Sequence, residues 1–273
     1  MSIIEFVQAV VLGIVEGLTE FLPISSTGHL ILVADWLHFS SSDVFVVVIQ
    51  AGAILAVCWY YRRLIGSILR NLFHRGPEQK LAINTLIAFF PVALIGVCVA
   101  DFVKERLFNV VCVGVSLILG GVILLWVEHR ERKAEQTNIA QMQDLSWREA
   151  LGVGLAQCFA MIPGTSRSGA TIVGGLLLGL PRQVATEFSF FLSIPTILGA
   201  TAFDLWHSRE VVLSGELSVS LLLTGVVVSF FSALVVVKWL IRYVSNHDFK
   251  PFGWYRIGFG ALILLCWAEG GLS

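Results

Sequence analysis

Apolar residues run in blocks through this chain, and the polar breaks between them define its elements. Crossing a hydrocarbon core takes about 20 mostly apolar residues. Six blocks approach or reach that length: 44–61, 82–103, 109–127, 184–206, 217–241 and 254–268. Trp59, Trp126, Trp206, Trp239, Trp254 and Trp267 fall near the ends of these blocks, where amphipathic rings prefer to sit. Two further regions are apolar but interrupted. Residues 3–38 carry Glu5, Glu16 and Glu20, then a break at Pro23, then a segment too short to cross. Residues 147–181 repeat the pattern, with a break at "PGTSRSG", 163–169. Each reads as a helix, a polar turn and a half-length helix. Irregular backbone at membrane depth is tolerated only where it is buried in protein or lines a wet cavity. Both regions therefore predict re-entrant helical hairpins.

The basic residues test that arrangement. If each hairpin enters and leaves on one side, a single face holds the loops 62–80 and 128–148 and the connections near 182 and 238–256. Fourteen Lys and Arg lie there, among them Arg132, Lys133, Arg182 and Arg256, against Lys104, Arg106 and Arg209 on the other face. Arg167 lies within the second hairpin. If the hairpins were full spans, the division would be ten against seven. The sharper bias matches the positive-inside rule, so both termini are expected outside, with the first hairpin dipping in from the outer face and the second from the cytoplasm.

The two halves also resemble each other at an offset of roughly 140 residues. "EGLTEFLPISSTGHLIL" corresponds to "GLAQCFAMIPGTSRSGATI", and "FVVVIQAGAILA" to "FSFFLSIPTILGA". A hairpin plus three spans, repeated, inverts the second copy. The expected fold is a single all-α polytopic membrane domain: six transmembrane helices and two re-entrant hairpins in an inverted-topology repeat, with repeat one at about 1–128 and repeat two at about 147–273.

Composition agrees. Hydrophobic residues make up 56% of the 273 and charged ones 14%, against about 25% charged in soluble domains. The formal net charge of −1 says nothing about partners, but the lack of a cluster of Lys and Arg interleaved with aromatics argues against nucleic acid. The five cysteines form no CxxC pair and lie in apolar stretches, which reads as small packing residues rather than a metal or redox site. The N-terminus has no Lys or Arg before its apolar run, so a cleaved signal peptide is not expected.

The polar turns carry the chemistry. Glu16 and Glu20 are i and i+4 on one helix face, where like charges repel, so a divalent cation or an opposing Arg is expected beside them. Hard cations such as Mg²⁺ or Ca²⁺ take oxygen ligands, including carboxylates and phosphate oxygens. After Pro23 come Ser25, Ser26, Thr27, Gly28 and His29 as a new helix starts. At least one hydroxyl serves as an N-cap, and exposed amides at a helix start also bind anions. His29 alone among the histidines lies deep in an apolar context. The second turn adds Thr165, Ser166, Arg167, Ser168, Gly169 and Thr171. An intramembrane Arg is a functional hypothesis by default, and guanidinium suits bidentate phosphate binding; the plain alternative is a salt bridge to Glu16 or Glu20. Together the turns make a phosphate site.

On "EGLTEFLPISSTGH" and "PGTSRSGAT" the sequence is similar, over essentially its whole length, to the undecaprenyl-diphosphate phosphatase family of bacterial inner membranes, associated with bacitracin resistance. The resemblance implies hydrolysis of a polyprenyl diphosphate to its monophosphate, recycling the lipid carrier for peptidoglycan and envelope glycans. It further implies an active site open to the outer, periplasmic face. On matching positions, Glu16 and Glu20 are the metal-associated acids, Ser26 and His29 supply nucleophile and base, and Arg167 with Ser166 binds phosphate. Ser25, Thr27, Ser168, Gly169 and Thr171 complete the expected phosphate contacts. The chain departs from the family where Val46 replaces a frequent Glu; Glu187, the rough repeat equivalent, is the other candidate for that role. The implied partners are the lipid diphosphate and the bilayer, with a homodimer left open. A transporter or flippase of an anionic polyprenyl phosphate lipid is the competing reading, because inverted repeats with half-helices are a transporter architecture.

Overall fold

The computed structural model describes residues 2–39, 43–131, 139–207, 209 and 218–270. Arg132 and Lys133, counted above on the basic face, and the first residue of the 217–241 block lie outside the described residues. Every regular element among the described residues is helical. In order they are α1 (Ile3–Thr19), α2 (Ser26–Trp36), α3 (Asp43–Tyr60), α4 (Arg62–Asn71), α5 (Pro77–Arg106), α6 (Val110–Glu131), α7 (Trp147–Gln157), α8 (Arg167–Leu177), α9 (Arg182–His207), α10 (Val219–Val244) and α11 (Lys250–Ala268). Short 3₁₀ turns cover 142–144 and 158–161.

Five helices are long and apolar enough to cross a membrane: α5, α6, α9, α10 and α11. The count rises to six if α3 and α4, bent by 73° at Tyr61, make one broken span. The chain is thus a multi-pass membrane protein with five or six spans. The six tryptophans at the block ends are all exposed. The segment 62–80, read from sequence as a charged loop, contains the α4 helix, in which Ile68 is buried while the neighbouring Leu69 and Arg70 are exposed. Residues 3–38 and 147–181 form no spanning helix. At 1.5 Å per residue, the eleven residues each of α2, α7 and α8 cover about half of a bilayer core.

The first helix of each broken region starts from a reciprocal cap that its sequence encodes. The Ser2 N–H donates to Glu5 Oε2 at 2.7 Å and the Glu5 N–H to Ser2 Oγ at 3.1 Å. Ser146 and Glu149 repeat the exchange at the start of α7, satisfying amides that a helix start leaves open. Each of these helices then packs on a span from the other half of the chain, α1 on α10 and α7 on α5. Small residues permit the approach: a Cβ on Gly17 would overlap the Ser229 carbonyl, and one on Gly154 the Ala88 carbonyl. Such contacts replace hydrophobic driving force inside lipid. α3 also packs on α9, and α6 on α11. The cysteines are all free and, rather than being buried, are half-buried or, at Cys98, exposed.

Candidate active site

The two breaks place the polar residues. α1 ends at Glu20, whose N–H donates to the Glu16 carbonyl. The chain turns through Phe21–Ile24 and re-enters a helix at Ser26. α7 ends through its 3₁₀ turn, Pro163 and Gly164, and α8 begins at Arg167. The residues before the two new helices adopt one rare backbone conformation: Ser25 has φ 71° and ψ 102°, Ser166 φ 72° and ψ 119°. Only His38 joins them as a non-glycine with positive φ among the described residues. The two serines are 141 positions apart, and α2 and α8 are both eleven residues long. Positive φ at a non-glycine costs of order 1–3 kcal/mol and persists where the surroundings enforce it.

Arg167 joins the breaks. Its Nη2 donates to Glu20 Oε1 at 3.1 Å and its Nη1 to the Ser189 carbonyl at 3.1 Å, with the guanidinium carbon 5.7 Å from the Phe21 ring centre. The pair is shielded, at 11% and 8% side-chain exposure. The second Glu20 oxygen accepts from Ser26 Oγ at 2.6 Å. Ser168 Oγ donates to the Leu22 carbonyl at 2.8 Å, a second tie between the turns. Ser166 Oγ accepts from the Gly169 N–H at 3.1 Å and caps α8, and Thr171 Oγ1 meets Ser189 Oγ at 2.6 Å. Glu16 is fully buried, and neither carboxylate oxygen has a donor. Arg167 Nε is likewise buried without an acceptor.

His29 is held separately. Its Nδ1 lies 2.7 Å from the Ser25 carbonyl and its Nε2 2.7 Å from the Tyr255 hydroxyl. A carbonyl only accepts, so Nδ1 carries the proton, and in the neutral ring Nε2 accepts from Tyr255. Phe259 stacks on the imidazole at 4.2 Å. Sequence reasoning paired Ser26 with His29. The hydroxyl is instead bonded to Glu20, because the first turn of α2 directs Ser26 back toward the end of α1. Thr27 lines a cavity of about 470 Å³ together with Val46, Gln50 and Asp204. Glu187 accepts from Gln183 within α9 and makes no hydrogen bond to the residues of the two turns.

Two residues of this region went unseen in the sequence, Tyr255 and Arg256 of α11. Arg256, assigned above to the basic face, is 2% exposed and bonded to both turns. The intramembrane-cation signal that singled out Arg167 applied to it equally. It was masked because the apolar block was begun at 254, two residues away, whereas α11 starts at Lys250.

The family model described as bacitracin resistance protein BacA matches residues 9–262. A protein of Cupriavidus metallidurans named undecaprenyl-diphosphatase is 48% identical, over 100% of this chain and 99% of its own length. One of the same name from Nitrosomonas europaea is 52% identical, over 94% and 93% of the two chains. A protein of Rhodospirillum rubrum named undecaprenyl-diphosphatase 2 is 50% identical, over 100% and 98%.

Proposed function

The chain belongs to the bacitracin resistance protein BacA family, and from that premise we propose that its two broken helices form the site at which it cleaves its substrate. The protein is an integral membrane undecaprenyl-diphosphatase, a hydrolase that converts undecaprenyl diphosphate to the monophosphate and inorganic phosphate. The observation that carries the site reading is the contact of Arg167 with Glu20 while Glu20 also holds the Ser26 hydroxyl. A neighbouring carboxylate and hydroxyl thereby meet an anion binder from 147 positions further along the chain.

The diphosphate head enters between the turns with its prenyl tail left in the bilayer. Arg167 exchanges Glu20 for phosphate oxygens, and the amides at the starts of α2 and α8 add donors. Freed of the ion pair, Glu20 takes the Ser26 proton as Oγ attacks the terminal phosphorus. The bond from that phosphorus to the bridging oxygen breaks, and the lipid monophosphate leaves. Water then attacks the phosphoserine and gives its proton to His29 Nε2; the bond from phosphorus to Oγ breaks, inorganic phosphate leaves, and Glu20 returns the first proton to Ser26. Positioning and charge neutralisation dominate such phosphoryl transfers. The unpartnered Glu16 oxygens fit a hard divalent cation such as Mg²⁺ or Ca²⁺; Glu16 and Glu20 would hold it with phosphate oxygens, and it would neutralise diphosphate charge.

The architecture we propose is six spans with two re-entrant hairpins in an inverted repeat, about 1–128 and 147–273, in the bacterial inner membrane. Both termini and the site opening then lie on the outer face. The matched Ser25 and Ser166 conformations and the crossed packing of α1 and α7 support it. A flippase has no use for a serine bonded to a buried acid, so Ser26–Glu20 favours hydrolysis over transport. Phosphate release from a prenyl diphosphate by purified protein tests the assignment. Ser26→Ala and Arg167→Ala are each expected to lose on the order of a thousandfold or more in kcat, and near-normal release by Arg167→Ala overturns the site. An acid-stable, base-labile trapped phosphate identifies Ser26; an acid-labile, base-stable one transfers the nucleophile to His29.

A further inference from the structure

Arg256 has no part in the chemistry above, yet its side chain is among the largest that are fully buried. All its partners are backbone carbonyls. Nε donates to Leu117 at 3.3 Å, Nη1 to Pro23 at 3.1 Å, and Nη2 to Thr165 at 2.9 Å, with Ser116 and Gly164 each at 3.3 Å. No carboxylate among the described residues pairs with it. An isolated buried charge is destabilising unless it is compensated, and here the compensation is dipolar. Pro23 lies just past the end of α1, and Gly164 and Thr165 lie just past α7 and its 3₁₀ turn. Carbonyls in such unwound segments have no intrahelical donor. Membrane folds built from broken helices commonly give these carbonyls to a dissociable cation. In this chain a tethered guanidinium occupies that place.

Because the guanidinium is planar and rigid, bonds from one group to both breaks fix the spacing between them. Pro23 is three residues from Glu20 and from Ser26; Thr165 is two from Arg167. The slot admits little else: a Cβ on Gly120 would overlap Nη2, and one on Gly169 would lie 2.7 Å from Nη1. The geometry points to Arg256 as a positioning residue of the reaction, clamping the two turns in the register that lets Arg167 and Glu20 act on one diphosphate. It does so without touching substrate. The inference rests on reading the two turns as the active site.

Two variants perturb the clamp differently. Arg256→Lys keeps the charge but replaces the fork with one nitrogen. Gly120→Ala keeps the arginine and displaces it. Gly258→Ala, where nothing lies within 4 Å of the added carbon, is the control. Phosphate release from farnesyl diphosphate is followed over a concentration range, with the thermal midpoint and elution profile in detergent measured alongside. Both clamp variants are expected to raise KM and to lower kcat/KM by about tenfold to a hundredfold in folded, monodisperse protein, with Gly258→Ala matching the wild type. Wild-type kinetics in both overturn the proposal, as does a rate loss at unchanged KM that follows the loss of folded protein. Arg167→Ala measured in parallel separates the failures. If it stays active, the site reading falls and takes the clamp with it. If it is inactive while both clamp variants keep the wild-type KM, the clamp alone falls.

Discussion

Ser26 and His29 sit three residues apart yet answer to different partners, one to Glu20 and the other to Tyr255, and that division has measurable consequences. Tyr255→Phe keeps the ring beside the imidazole and deletes one hydrogen bond, worth about 1 kcal/mol. It should lower kcat about fivefold with little change in KM, measured as phosphate release at saturating substrate; an unchanged kcat would remove Tyr255 from the site. Glu16→Gln removes charge from a carboxylate with no protein donor, so it should weaken the affinity for added Mg²⁺ or Ca²⁺ more than it alters folding. Titrating the metal after chelation shows this as a rightward shift of the activation curve. Glu16, Glu20, Ser26, His29 and Arg167 were legible in the sequence because each puts polarity where lipid would reject it. Their pairing was not, since whether Ser26 meets Glu20 or His29 depends on the path of a four-residue turn. Arg256 was hidden for a different reason: a buried cation close in sequence to an interface looks like an interfacial one.

Among the elements, the helices that cross were legible from length and hydropathy, whereas α4 was not. Arg62, Arg63 and Arg70 share its ten residues with Leu64, Ile65, Ile68 and Leu69, so its mean polarity resembles a loop and only its periodicity marks a helix. The unwound ends depend on single residues. Gly164 has φ 89°, and an added Cβ would lie 2.5 Å from the Val113 carbonyl. Gly164→Ala should therefore destabilise by about 1–3 kcal/mol and be seen as a lower thermal midpoint. Ser166→Ala, which removes the cap on Gly169 and the contact with Ser168 Oγ, should cost about 1–2 kcal/mol. Far from the turns, Glu128 is fully buried; it accepts from Arg182 at 2.6 Å and from the Phe249 N–H at 2.9 Å, joining the end of α6 to the starts of α9 and α11. Arg182 is 29% exposed, so water weakens the pair. Glu128→Gln should accordingly cost about 1–3 kcal/mol in stability and leave KM unchanged. A changed KM with an unchanged midpoint would reverse that assignment.

For the whole molecule the decisive quantity is which face each connection occupies. Neither broken region contains a helix that reaches the length of a span, and with the buried Arg256 set aside thirteen basic residues fall on one face only if both regions turn back. Full spans at 3–38 and 147–181 would move some loops and not others, so four positions suffice to separate the arrangements. All five cysteines are free, and a cysteine-less background breaks no disulfide. Into it go single cysteines at Ser2, His74, His247 and Glu269, all exposed, each checked for retained phosphatase activity. Intact cells are then treated with a membrane-impermeant maleimide. Re-entrant hairpins place Ser2 and Glu269 outside, where they label, and keep His74 and His247 protected until the membrane is opened. Two full crossings leave His74 protected but reverse the other three, so that His247 labels while Ser2 and Glu269 do not. Labelling at His247 in intact cells would therefore remove the proposed inverted repeat, and with it the proposal that Glu20 and Arg167 meet halfway through the bilayer.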